Sequence, residues 1–226
     1  MKTRGMSPPP ARPNAPPTGV EPLSRVFGLD RGTAIDRYYI ESFLEQHQAD
    51  IRGRVLEIGD AAYTNRFGGA KVNARDVLHA TEGNPKATII GDLATGRGLP
   101  IGAYDCIILT QTLGCIFDVR AAVATTCRAL KPSGVALATL PGISQISRYD
   151  MERWGDFWRF TSLSARRLFE EAFGPGNATV VAHGNVAIAS AFLYGRCLEE
   201  MQPGQLDIHD PDYEMLITVR ARKTRP

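Results

Sequence analysis

Seven short apolar runs punctuate the chain, and most of the stretches between them carry helical patterning. The runs fall at 54–58, 71–78 (weaker and more polar), 87–91, 105–110, 134–140, 178–182 and 215–220. Strands that are apolar along their whole length, rather than at every second position, need cover on both faces. Alternating with helices, they predict an α/β fold in which a mostly parallel sheet lies between two helical layers. The last run, Met215 to Arg220, alternates more and follows a polar loop, which predicts an antiparallel member of the sheet.

The helices have their own signals. The first is expected over about 33–48, with Ile35, Tyr39 and Phe43 on one face and Ile40 and Leu44 beside them. Thr33 is its expected cap, with Asp36 three residues on as a shortened capping box. Ile116, Val119, Val123, Cys127 and Leu130 follow helical spacing, and Lys131-Pro132-Ser133-Gly134 ends that helix. Two more helices are expected over 162–173 and about 186–201. Residues 1–22 hold Pro8-Pro9-Pro10, Pro13, Pro16-Pro17 and Pro22 and few large apolar side chains, the composition of a disordered leader. Residues 23–226 are then expected to form one domain, a size sufficient for a substantial core.

In an open α/β sheet, ligands bind at the carboxyl ends of the strands. The first such end is Glu57-Ile58-Gly59-Asp60. A phosphate loop needs GxxxxGK[ST], which Gly69-Ala70-Lys71-Val72 does not supply. A dinucleotide needs GxGxxG for close approach of its pyrophosphate, and Gly59 stands alone. No tyrosine has lysine four residues later, against a short-chain dehydrogenase. S-adenosylmethionine has no pyrophosphate, so one turn glycine flanked by carboxylates is enough for it.

The segment 54–143 resembles the class I S-adenosylmethionine-dependent methyltransferases of the type 11-like group. "RVLEIG" resembles the family's first motif and "ATIIGDL" its acid-ended third strand. "LPIGAYDCIILTQTL" resembles its lead into the fourth strand, and "CRALKPSGVALATLPG" its turn into the fifth. The four pieces come in the family's order over about 90 residues. The resemblance implies a Rossmann-like seven-stranded sheet with helices on both faces, and S-adenosylmethionine as cofactor.

It also implies roles. Gly59 lets the backbone pass close to the cofactor, and Glu57 and Asp60 face its cationic amino end or bound water. Asp76 accepts from the ribose hydroxyls, with Glu82 as the alternative if the second strand runs later. Asp92 takes a hydrogen bond from the adenine amino group, and Leu93 packs on the ring. Thr110 and Gln111, followed by Thr112, lie under the sulfonium. On the acceptor side, Trp154, Trp158 and Arg159 form an aromatic and basic wall suited to a sugar or aromatic metabolite. Tyr38 closes the site from the first helix. His183, at the end of the sixth strand, is the expected general base for a hydroxyl acceptor.

The expected activity is therefore methyl transfer to a small acceptor, with an oxygen on a saccharide or secondary metabolite favoured. A catalytically silent, methyltransferase-like binding or scaffold protein is the alternative. A net charge of +2 gives no reason to expect nucleic acid. No run approaches the ~18 apolar residues of a membrane span, and no signal-peptide core follows Lys2 and Arg4. No metal site is expected, since His209-Asp210-Pro211-Asp212 reads as a turn. Cys106 and Cys127 read as small buried hydrophobes in a reducing, cytoplasmic setting. The oligomeric state is left open.

Overall fold

In the computed structural model, residues 19–224 are described. Most of the expected leader, residues 1–18, and Arg225 of the basic tail lie outside them. The strands are β1 (Gly53–Ile58), β2 (Val72–His79), β3 (Ile89–Ile90), β4 (Tyr104–Thr110), β5 (Leu130–Pro141), β6 (Ala178–His183) and β7 (Leu216–Arg222). They form one sheet in the order β3-β2-β1-β4-β5-β7-β6. Pairing is parallel from β3 to β5, and β7 runs antiparallel to both β5 and β6. The antiparallel β7 is where the alternating pattern of 215–220 pointed.

Continuous burial explains the apolar runs. Cys106, Ile107, Ile108 and Leu109 are all fully buried, although successive residues face opposite sides of the sheet. Ile107 and Leu109 pack with α2 (Val119–Ala129) and α4 (Ser162–Phe173). Cys106 and Ile108 pack with α1 (Asp36–Gln46) and α5 (Val186–Leu193). One further short helix, α3 (Arg148–Arg153), belongs to an insertion after β5.

The helix ends follow local chemistry. Asp118 caps α2, a Thr161–Ser164 capping box opens α4, and the Asn185 side chain accepts from two amides at the start of α5. The expected 186–201 helix stops at Leu193. Gly195 takes φ +74 there, where a Cβ would collide with Ser24. The first helix is shorter than 33–48, and Thr33 does not cap it. Its hydroxyl and amide both donate to the Glu199 carboxylate instead, at 2.7 and 3.0 Å. The connection from β1 to β2 holds no full helix, only a π-helical turn over Thr64–Gly68 and a short 3-10 turn.

Four parallel strands therefore deliver Gly59, Ala80, Gln111 and Gly142 to one side of the sheet. Among the described residues, no helix is long and apolar enough to cross a membrane. Phe169 is fully buried between the sheet and the α2–α4 layer. Phe169→Ala is expected to destabilise the protein by about 3–5 kcal/mol. The check is urea unfolding, in which the midpoint falls and the slope stays unchanged.

Candidate functional site

At the end of β1, Gly59 takes φ +81, a left-handed conformation suited to glycine, with open space where a Cβ would project. Its amide donates to the Leu78 carbonyl at 3.0 Å. Its carbonyl accepts from the Asn84 side chain at 2.7 Å, which draws the β2–β3 loop against the turn. Asp60 is partly exposed. One of its oxygens takes the Ala62 amide and the other the Lys86 ammonium, at 3.0 and 3.3 Å.

Glu57 is buried and works inward. Its two oxygens accept the Tyr63 and Thr64 amides at 3.1 and 2.8 Å, closing the first turn. Burial pushes its carboxyl up from the ordinary range, and these donors oppose that shift. The expectation that Glu57 faces a cofactor is corrected: its side chain is the staple of the loop.

Asp76 is also corrected. It pairs in register with Leu56, three residues short of the end of β2, and its carboxylate holds Arg54 at 2.7 Å. The strand runs on to His79, the later ending for which Glu82 was the alternative acid. The His79 ring meets Trp154 edge-on, with centroids 5.0 Å apart. Asp92 organises its own turn, accepting from the Ala94 amide at 2.8 Å and the Thr95 hydroxyl at 3.0 Å. Leu93 is buried in the core.

The end of β4 is different. Thr110 closes the strand, and Gln111 takes φ +52, a rare conformation for a residue with a side chain. The Gln111 amide is held by the carbonyl and hydroxyl of buried Thr139, at 3.0 and 3.2 Å. Gln111 borders a cavity of about 350 Å³. Its walls come from the segment around Phe27, the start of α1, the β4 and β5 ends, and the insertion 143–160.

That insertion is a strap tied by one ion pair. Arg159 grips Asp156 through both terminal nitrogens, at 2.6 and 2.8 Å. It also reaches the Ser144, Gln145 and Trp158 carbonyls. Asp156 in turn accepts the Ser147 amide at 2.8 Å, and the guanidinium holds its carboxyl below the usual range. Arg159 lines the cavity with its hydrogen-bonding capacity already used. Trp158 points elsewhere: it stacks on Phe117, and its indole N–H donates to the Ile116 and Phe117 carbonyls. Gly155, at φ +101, turns the chain between the two tryptophans. Of the expected Trp154–Trp158–Arg159 wall, Trp158 and Arg159 border one pocket together, while Trp154 stands apart against His79.

Tyr38 and His183 lie in a separate cavity on the other side of α1. The Tyr38 hydroxyl donates to Asp207 at 2.6 Å. His183 pairs with the Thr218 hydroxyl at 2.9 Å and packs against the Tyr39 ring. Burial lowers its pKa to about 4, so it is neutral at physiological pH and a weak base. His183 is remote from β4 because β6 is an outer strand of the sheet, beyond β7, and Tyr38 is drawn to Asp207 on its own side of α1. Cys115 does line the cavity beside Gln111, but burial pushes its thiol up to about 12. Among the described residues, no group of three metal-ligating side chains occurs.

Sequence reasoning missed the bare carboxyl of Asp36. Its Oδ1 is buried with no hydrogen-bond partner, and the side chain lines the cavity. The clue was its place in a row of core positions, between Ala34-Ile35 and Tyr39-Ile40, but its spacing from Thr33 read as a cap.

A cofactor of the S-adenosylmethionine type meets a mixed fit. The Gly59 turn, the exposed part of Asp60 and the Thr110–Gln111 corner are open to it. Glu57, Asp76 and Asp92 are engaged within the protein.

No family model matches the chain, and no curated protein matches it. Solved structures do. An S-adenosylmethionine-dependent methyltransferase from Archaeoglobus fulgidus aligns with a TM-score of 0.54 at 10% identity, over 83% of this chain and 94% of that one. The N-methyltransferase NodS from Bradyrhizobium japonicum WM9, in complex with S-adenosyl-l-homocysteine, aligns at 0.53 and 14% identity, over 86% and 90%. The 4+2 cyclase SpnF aligns at 0.53 and 15% identity, over 92% and 89%. The last is named for a different reaction, so likeness at this level speaks to architecture and not to chemistry. With its strand order, antiparallel β7 and two helical layers, the chain has the fold of the class I S-adenosylmethionine-dependent methyltransferases.

Proposed function

We propose that the protein is an S-adenosylmethionine-dependent methyltransferase acting on a small-molecule acceptor. The observation that carries this reading is the Thr110–Gln111 corner. A non-glycine residue is held left-handed at the end of β4, beside the open Gly59 turn and at the border of a cavity of about 350 Å³. Backbone strain of this kind persists where surrounding structure enforces it, and it clusters at ligand sites.

Bound S-adenosylmethionine would supply a methyl group on a sulfonium that is already a good leaving group. The protein's part is then mainly alignment and exclusion of water. Gly59 would let the backbone approach the ligand, and Asp60 would face its ammonium. Gln111 would separate the cofactor side from the cavity. The expected saccharide or secondary-metabolite oxygen acceptor drew on Trp154, Trp158 and Arg159 acting together, and Trp154 lies apart from the other two. The acceptor is kept here as a small molecule.

A second reading, a methyltransferase-like module without turnover, is favoured by the internal use of Glu57, Asp76 and Asp92. Calorimetric titration with S-adenosylhomocysteine separates the two, with NAD as control ligand. The first reading expects micromolar binding. Gly59→Val fills the open space and strains the turn, and should weaken that binding by roughly tenfold or more. Asp60→Asn should weaken it less and leave the melting temperature unchanged. A flat titration in a folded wild-type protein would overturn the enzyme reading in favour of the module. Heat with NAD alone would point to a dinucleotide enzyme.

A further inference from the structure

The cavity beside Gln111 contains a carboxyl oxygen, Asp36 Oδ1, that no side chain or backbone group among the described residues satisfies. Asp36 is the first residue of α1, and the preceding Ile35 provides no side-chain cap. Three buried side-chain atoms lack a partner among the described residues: Asp36 Oδ1, Thr64 Oγ1 and the Tyr104 hydroxyl. Of these residues, only Asp36 lines this cavity. A buried acceptor left unfilled is destabilising, and a ligand's donor would remove that cost.

The other charges around it narrow the ligand. Arg37 is adjacent and supports the carboxyl through space and through its backbone amide, but its guanidinium forms no ion pair with it. Its guanidinium donates to the Tyr63 hydroxyl at 2.9 Å. Arg159 is spent on Asp156 and the strap carbonyls. Asp150 faces the same cavity from α3, and its carboxylate takes no hydrogen bond among the described residues. Both cations are thus engaged while two carboxylates are not. Phe27, Leu29 and Met215 supply apolar wall, beside the uncharged polar side chains of Gln111, Ser144 and Gln145.

We propose that this cavity binds a small organic amine, whose ammonium donates to the Asp36 carboxylate while its apolar body lies against Phe27 and Met215. An anion would be repelled by Asp36 and Asp150. A neutral alcohol would fill the hydrogen bond and leave the charge uncompensated, and charge-assisted hydrogen bonds are about twice as strong as neutral ones. The binding claim stands apart from methyl transfer, whereas taking the amine as the methyl acceptor rests on the proposed function.

The test uses the full chain without cofactor and three probes of one shape: 2-phenylethylamine, 2-phenylethanol and phenylacetate. Calorimetry at neutral pH should show the amine binding roughly tenfold or more tightly than the alcohol, and phenylacetate giving no heat. Asp36→Asn should bring the amine down to the level of the alcohol. Asp207→Asn, in the separate cavity, should change neither. Equal binding of amine and alcohol, an amine affinity indifferent to Asp36→Asn, or no amine binding by the wild type would each overturn the proposal. Because no arm needs S-adenosylhomocysteine, a failed cofactor titration and a failed amine titration are read separately.

Melting curves keep the test independent of any one probe. Burial pushes the Asp36 carboxyl above its ordinary range, against the pull of Arg37. Glu41 on α1, Tyr63 from the first turn, Cys115 from the β4–α2 loop and Tyr149, Asp150, Asp156 and Arg159 from the strap are the other charged and titratable groups around it. A carboxyl whose folded pKa lies above its unfolded one contributes stability that is full below the unfolded value and lost as pH rises through the folded value. Asp36→Asn should therefore melt a few degrees above wild type near neutrality, with the gap closing as pH falls towards about 4. The amine should raise the wild-type melting point and not that of the variant. A variant less stable than wild type near neutrality would reveal an internal partner for Asp36 and overturn the proposal.

Discussion

A buried carboxylate at the end of the first strand governs how the ligand side of this protein is built. Glu57 is almost wholly out of water and accepts two consecutive amides, those of Tyr63 and Thr64. An ionised carboxyl in that position is tolerated only because those donors replace its lost hydration. The amides must curl back to reach it, so the connection to β2 is drawn into a short π-helical turn ending at Gly68. Gly68 is itself confined, since a Cβ there would strike Val72 and Ile51. The same curl brings the Tyr63 ring over α1, where its hydroxyl takes Arg37. Arg37 is the residue best placed to neutralise Asp36. The turn that Glu57 closes thus also leaves Asp36 without an ion-pair partner.

The strap repeats this logic on the opposite wall. Arg159 reads as a ligand-binding residue by composition, but every direction its guanidinium offers is met by Asp156 or a strap carbonyl. Asp156 is buried enough that the pair carries real weight, unlike the exposed Arg25–Glu21 contact, which contributes little. The pair fixes the strap against the β4 end, where the Phe157 and Trp158 amides donate to Gly114. A rigid strap keeps the cavity formed in the absence of ligand, which lowers the ordering cost of binding.

What the sequence makes legible is whatever depends on near neighbours. Continuous apolar runs located the strands because both faces of each central strand are covered. The 162–173 helix is found as expected because Thr161, Ser164 and Gly174 carry its boundaries within the segment itself. Carboxylates are harder, because their role depends on which donor reaches them in space. Asp76 and His79 are three residues apart, and only the strand register shows that the imidazole, not the acid, sits at the strand end. Asp92 fits a cofactor motif, yet the Ala94 and Thr95 donors that occupy it are equally local. His183 failed on topology: strand order places β6 outermost, and no feature of its own segment records that. Thr33 was lost to Glu199, a partner 166 residues away.

These placements shift where selectivity resides. In the expected arrangement, acids at three strand ends would read the ribose, the adenine and the ammonium of a cofactor. Here two of those acids and Glu57 are satisfied internally, so little charge on the β1–β2 side is free to discriminate among ligands. The free carboxyl groups lie instead on α1 and α3, around the cavity beyond Gln111. A ligand in that cavity lies against Asp36 and against no residue of the Gly59 turn, and a donor carrying positive charge answers both its open lone pair and its charge. Recognition in this chain is therefore concentrated on the cavity side of the β4 corner, with the first turn contributing shape through Gly59 more than charge.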